Sequence, residues 1–168
     1  MTKEIKPLNV LFLCTHNSAR SILAEALLNT IGKSRFQAFS AGSSPRDNQQ
    51  PNPLALQVLQ NVGIATEGLH SKSWDVFAGP DAPQMNLIIT VCDNAAGEVC
   101  PVWPGHPATA HWSYADPSDV GGSNTEKLEA FRKTLHAIKR RLELFCNLPN
   151  AKLEHALLQS SARQLADT

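Results

Sequence analysis

Val10 to Leu13 is an unbroken apolar run that stops at Cys14. A run without alternation is the pattern of a parallel strand covered on both faces. From about Arg20 to Ile31 the period changes to that of a helix, with Ile22, Leu23, Ala26, Leu27 and Ile31 on one face and Gly32 as its stop. Phe36 to Ala41 predicts a second short strand ended by Gly42, and Ser43 to Pro53, with Pro45, Pro51 and Pro53, predicts a loop. Leu54, Val58 and Leu59 predict a helix ending near Gly63, and a short helix is expected around Trp74 within Leu69 to Phe77.

The second half repeats the rhythm. Leu87 to Val91 predicts a strand that again delivers a cysteine, Cys92. Asp93 to Pro107, rich in proline and glycine, predicts a long irregular loop, followed by a brief strand over Ala108 to Trp112 and a loop over Tyr114 to Gly122 that carries Asp116-Pro117. Ser123 and Glu126 form a capping box ahead of Leu128, Phe131, Leu135, Ile138, Leu142 and Phe145, the stripe of one long helix closed by Pro149. Leu153, Leu157, Leu158 and Leu165 predict one more helix in a tail, 150–168, outside a main domain of 1–149. Strands alternating with helices predict an α/β domain with a parallel sheet, and ligands of such sheets lie beyond the carboxyl ends of the strands. Cys14, Cys92 and the Asp116 loop all follow strands, so they converge on that edge.

Length and charge narrow the classes. A chain of 168 residues with Lys+Arg 15 against Asp+Glu 15 is expected to be one domain without a basic footprint for nucleic acid. No apolar run is long enough to cross a membrane, and the polar start Met1 to Pro7 lacks the apolar core of a signal peptide, so a cytoplasmic location is expected. Cys14, Cys92, Cys100 and Cys146 would then be reduced at rest, and a disulfide among them would be catalytic or transient.

The chemistry concentrates in Cys14-Thr15-His16-Asn17-Ser18-Ala19-Arg20-Ser21. A tight loop between strand and helix turns backbone N–H groups onto one point, where the helix dipole favours an anion. Arg20 adds a planar fork suited to a tetrahedral oxyanion. The same field predicts a Cys14 thiol shifted down towards the roughly 3.5–7.5 range of activated cysteines. Cys92 and Cys100 read either as small buried hydrophobes or as redox partners. A zinc site from Cys92, Cys100, His106 and His111 has too wide a gap between its cysteines for the usual structural pattern, so no metal site is assigned. Cys146 reads as packing.

Taken in order, the loop, Ser40-Ala41-Gly42, Thr90-Val91-Cys92, Cys100-Pro101, His111-Trp112 and Asp116-Pro117 resemble the low-molecular-weight tyrosine phosphatase superfamily, and within it the arsenate reductases of that fold. The resemblance runs from Val10 to about Cys146. It implies a four-stranded parallel sheet with helices on both faces. It also implies Cys14 as nucleophile, Arg20 and the loop from Thr15 to Ser21 as oxyanion binder, Ser21 bonded to the thiolate, Asn17 holding the loop and Asp116 as general acid. Arsenate would be reduced through Cys14, Cys92 and Cys100 in turn, with phosphate or sulfate as substrate mimics and no tightly bound cofactor. An external thiol system, thioredoxin or glutathione with glutaredoxin, would reset the enzyme. Cys92 and Cys100 stand one residue further apart than in thioredoxin-coupled relatives, which leaves the donor open. The relatives' monovalent cation has counterparts for its ligands in Asn17, Glu25 and Ser40, but not for the acidic ligand expected near Ser73. Two rivals remain: a phosphatase acting on phosphotyrosine, and a non-catalytic oxyanion or thiol sensor. The phosphatase would need aromatic residues where Ser118-Asp119-Val120 stands.

Overall fold

A computed structural model of the chain describes residues 7–92, 107–153 and 155–166. Its four strands are β1 (Leu8–Cys14), β2 (Phe36–Gly42), β3 (Leu87–Thr90) and β4 (Ala108–His111). They form one parallel sheet in the order β2-β1-β3-β4. The helices are α1 (Arg20–Ile31), α2 (Pro53–Asn61), α3 (Asn124–Cys146) and α4 (His155–Leu165), with 3-10 turns at Trp74–Phe77, Pro117–Asp119 and Asn150–Leu153. The architecture is the α/β parallel sheet that the alternating pattern predicts.

β1 is central, and its side chains divide between two cores. Val10, Phe12 and Cys14 join Leu23, Leu27, Leu59, Phe131, Ile138 and Phe145 on the helical face. Leu11 and Leu13 meet Trp74, Phe77, Met85 and Ile88 on the other. Burial on both sides explains why the run shows no polar alternation. The long stripe of α3 is used as read: Phe131, Leu135, Ile138, Leu142 and Phe145 are all buried, and Ser123 Oγ accepts from the Glu126 N–H at 3.2 Å to start the helix.

Gly32 ends α1 for a different reason from the left-handed cap that glycine commonly supplies. Its φ is −115°, and a Cβ there would sit 2.9 Å from Leu28 Cδ1 and 3.0 Å from Cys146 Sγ. Close packing against side chains, not backbone handedness, favours glycine there. The tail helix α4 lies along β4: Trp112 Nε1 donates to Ala162 O at 2.9 Å, and Arg163 Nε donates to Thr109 O at 3.0 Å. Leu158 and Ala162 belong to the same core as the sheet. No described helix is long and apolar enough to cross a membrane.

The connections leave β1 towards β2 on one side and reach β3 on the other. The crevice where strand order reverses therefore opens between the ends of β1 and β3, where Cys14 and Cys92 stand.

Candidate active site

The loop from Cys14 to Arg20 joins β1 to α1, and its shape is imposed from outside. The Cys14, Thr15 and Ser18 carbonyls accept from the N–H groups of Ser43, Ser44 and Asn52 at 2.8–2.9 Å, and the Asn17 carbonyl accepts from Ser71 Oγ at 2.6 Å. A trans peptide points its N–H opposite to its C=O. Pinning those carbonyls outward turns the N–H groups of Thr15, His16, Ser18 and Ala19 towards the inside of the loop, a concave set of donors at the start of α1, and such a geometry suits an anion. Gly42 makes the close approach possible, since a Cβ there would fall 2.6 Å from Thr15 O and 3.0 Å from Asn17 N. His16 Nδ1 bonds to Ser44 O at 2.9 Å.

Asn17 is the keystone. It is fully buried with φ +56°, a left-handed conformation that asparagine tolerates better than most residues. Its N–H donates to Cys14 Sγ at 3.2 Å. Its Nδ2 donates to Ser21 Oγ at 2.8 Å and to Ser40 Oγ at 2.9 Å, while Oδ1 accepts from the Lys72 N–H at 3.0 Å. Ser21 Oγ in turn lies 2.8 Å from Cys14 Sγ. Behind this set, Ser40 Oγ donates to Glu25 Oε1 at 2.8 Å, and Lys72 Nζ lies 3.9 Å from the same oxygen. Burial pushes Glu25 up and Lys72 down from their ordinary values, and each charge opposes the shift of the other.

The Cys14 thiol is 4 % exposed, and this corrects one expectation. Burial pushes it up from its ordinary value. The Ser21 hydrogen bond pulls it down, the neighbouring Cys92 pushes it up again, and the Asn17 N–H pulls it down. Dehydration outweighs the donors. The Arg20 guanidinium is engaged elsewhere, with Nη1 donating to Tyr114 O at 2.9 Å and Nη2 lying 3.3 Å from Asp116 Oδ2.

Asp116 opens the 3-10 turn after β4, and its Oδ1 accepts from the Ser118 N–H at 2.9 Å and Ser118 Oγ at 2.7 Å. Cys92, 2 % exposed, reaches the same edge, with its sulfur 3.5 Å from Thr15 Oγ1. Cys14, Arg20, Asp116 and Cys92 are thus brought together, while Cys100 and His106 lie outside the described residues. Among those residues no group of His, Cys, Asp or Glu is arranged to hold a metal ion. His111 Nδ1 lies 2.7 Å from Thr90 Oγ1, within the sheet edge. Cys146 is half-buried against the core. Beside the loop a groove of about 520 Å³ is lined by His16, Ser18, Arg46, Gln49, Asn52 and Ser118 among others, with no Phe, Tyr or Trp among them.

Sequence reasoning missed Lys72 and Ser71. The one available signal was a lysine standing next to the position where the resemblance calls for an acid.

Fold and loop together define an α/β protein whose first crossover carries a Cys-x5-Arg loop at the switch point of a parallel sheet. More particularly, the chain belongs to the low molecular weight phosphotyrosine protein phosphatase family, whose model matches residues 9–157. An arsenate reductase of Bacillus subtilis is 30 % identical over 136 residues, which is 81 % of this chain and 93 % of that one. A solved structure described as an arsenate reductase in the phosphate binding state superposes with a TM-score of 0.67 at 26 % identity, covering 88 % of this chain and 99 % of that one. A thioredoxin-dependent arsenate reductase of Corynebacterium glutamicum gives a TM-score of 0.54 at 25 % identity over 83 % of this chain and 64 % of that one.

Proposed function

We propose that the protein reduces arsenate to arsenite, with Cys14 as nucleophile and Cys92 as the thiol that completes the reduction. The observation that carries this reading is the placement of Cys92, buried at the rim of the loop with its sulfur 3.5 Å from Thr15 Oγ1. A phosphatase has no use for a second thiol there. A reductase needs one to deliver the second electron.

Arsenate binds with its oxygens on the loop N–H groups and on Arg20. Ser21 and the Asn17 N–H stabilise the Cys14 thiolate once its proton has passed to an oxygen of the bound arsenate dianion. The sulfur attacks As(V), Asp116 protonates the departing oxygen, and water leaves. The Cys92 thiolate then attacks Cys14 Sγ. The electron pair of the S–As bond passes to arsenic, arsenite departs as As(III), and a Cys14–Cys92 disulfide holds the two oxidised sulfurs. Cys100 attacks Cys92 next, freeing Cys14, and an external dithiol returns the Cys92–Cys100 disulfide to thiols. The relative from C. glutamicum favours thioredoxin as that donor, with glutathione and glutaredoxin as the competing arm of the test.

The groove supports a small inorganic oxyanion over an aryl phosphate, because no Phe, Tyr or Trp lines it to sandwich a phenyl ring. The test is anaerobic turnover of arsenate with each donor system, on the wild type and on Cys14→Ser, Cys92→Ser and Cys100→Ser. Cys92→Ser is expected to release no arsenite while any hydrolysis of aryl phosphate survives. Equal loss of both activities would count against the scheme.

A further inference from the structure

One buried ion pair takes no part in the reaction scheme. Glu25 on α1 and Lys72, in the segment that reaches the Trp74–Phe77 turn, have side chains only 14 % and 12 % exposed. Lys72 Nζ lies 3.9 Å from Glu25 Oε1 and donates to the Ser40 carbonyl at 2.9 Å. The main chain of the same residue is tied as well: its N–H donates to Asn17 Oδ1 at 3.0 Å, and its carbonyl accepts from the Gly42 N–H at 2.8 Å. Lys72 therefore touches the strand beside the loop, the loop itself and the carboxylate behind both.

Asn17, Glu25 and Ser40 are the residues whose counterparts would hold a monovalent cation, and here they do not fit one. Asn17 Oδ1 already accepts from a backbone N–H, Ser40 Oγ donates to Glu25, and Ser40 O accepts from the lysine. An incoming metal ion would meet an ammonium of like charge beside the carboxylate it needs.

We propose that Lys72 is a built-in cation, a positioning residue whose ammonium neutralises Glu25 and so holds Asn17 and the oxyanion loop in shape without any dissolved monovalent cation. The path is short. Glu25 orients Ser40, Ser40 and Ser21 both receive Asn17 Nδ2, and Ser21 meets Cys14 Sγ. The consequence for anion binding rests on the loop reading above, whereas the thermal consequence does not.

The experiment measures melting temperature and the affinity for inorganic phosphate in sodium, potassium and choline chloride at equal ionic strength. The wild type is expected to give one melting temperature in all three salts. Lys72→Ala should melt about 5–10 °C lower in choline, because it strands a buried carboxylate. It should also bind phosphate roughly tenfold more weakly, and recover both properties saturably as potassium is added. A saturable potassium response in the wild type would overturn the proposal. So would a Lys72→Ala protein that melts like the wild type, or one whose loss is the same in every salt. If Lys72→Ala does not fold, Glu25→Gln combined with Lys72→Met decides. That pair removes both charges, so it should fold and ignore potassium, and either failure to fold or a potassium response refutes the assignment. Absence of arsenate reduction would leave these thermal results standing.

Discussion

Replacing Asn17 by alanine tests whether one side chain sets the shape of the anion loop. The substitution deletes the bonds from Nδ2 to Ser21 Oγ and to Ser40 Oγ, and the bond that Oδ1 accepts from the Lys72 N–H. Each is buried or nearly so. At about 0.5–1.5 kcal/mol apiece the three amount to roughly 1.5–4.5 kcal/mol. Alanine must also hold φ +56°, which adds on the order of 1 kcal/mol for a residue with a Cβ and no local hydrogen bond. A loss of roughly 2.5–5.5 kcal/mol follows, a large part of the ordinary stability of a domain. The assay is urea unfolding followed by tryptophan fluorescence, with Asn17→Gly alongside. Glycine loses the same bonds but adopts the left-handed conformation freely, so it should be about 1 kcal/mol less damaging. Asn17→Ala costing less than about 1 kcal/mol would refute the bond count, and Asn17→Gly falling below Asn17→Ala would refute the backbone argument.

Two further outcomes follow from the same geometry. Burial holds the Cys14 thiol above its ordinary value of 9.0, so the native state keeps a proton that the unfolded chain releases from about that pH upward. Stability should be level below about pH 9.0 and fall as the pH rises past it, and Cys14→Ala should lessen that fall, leaving the contribution of Cys146, whose thiol burial also pushes up. Urea midpoints measured from about pH 6 upward read it, and a stability that rises between about pH 6 and 9, the mark of a thiol depressed in the native state, would contradict the buried-thiol account. Asp116→Asn keeps an acceptor for Ser118 but removes the acid and the Arg20 ion pair, which is partly exposed. Stability should change by less than about 1 kcal/mol. The rate of arsenate turnover should drop by roughly 10²–10⁴, read in steady-state kinetics.

The sequence made the frame legible wherever burial is uniform along an element. The unbroken Val10–Leu13 run marked β1, yet the strand extends back to Leu8 because Asn9, a poor strand former, is fixed by Asn86 Oδ1 at 2.8 Å. The apolar stripe of α3 emerged intact because every residue of that stripe meets the same core. The site was legible as a set of residues rather than as an electrostatic balance. Cys14, Arg20 and Asp116 were singled out and the fold brings them to one edge, but the thiol's burial depends on how closely Gly42 and the Ser43–Ser44 segment approach the loop, which no local pattern encodes. Lys72 was illegible for a related reason. A lysine among polar neighbours reads as solvated, and only the fold brings Glu25 from α1 to meet it.

The most direct measurement is a single turnover on fully reduced protein, quenched by acid, with arsenite counted and disulfides mapped by mass spectrometry. Electron transfer between the sulfurs at the β1–β3 crevice predicts one disulfide containing Cys92 for every arsenite formed. Arsenite appearing while the Cys92 thiol remains free would contradict the account.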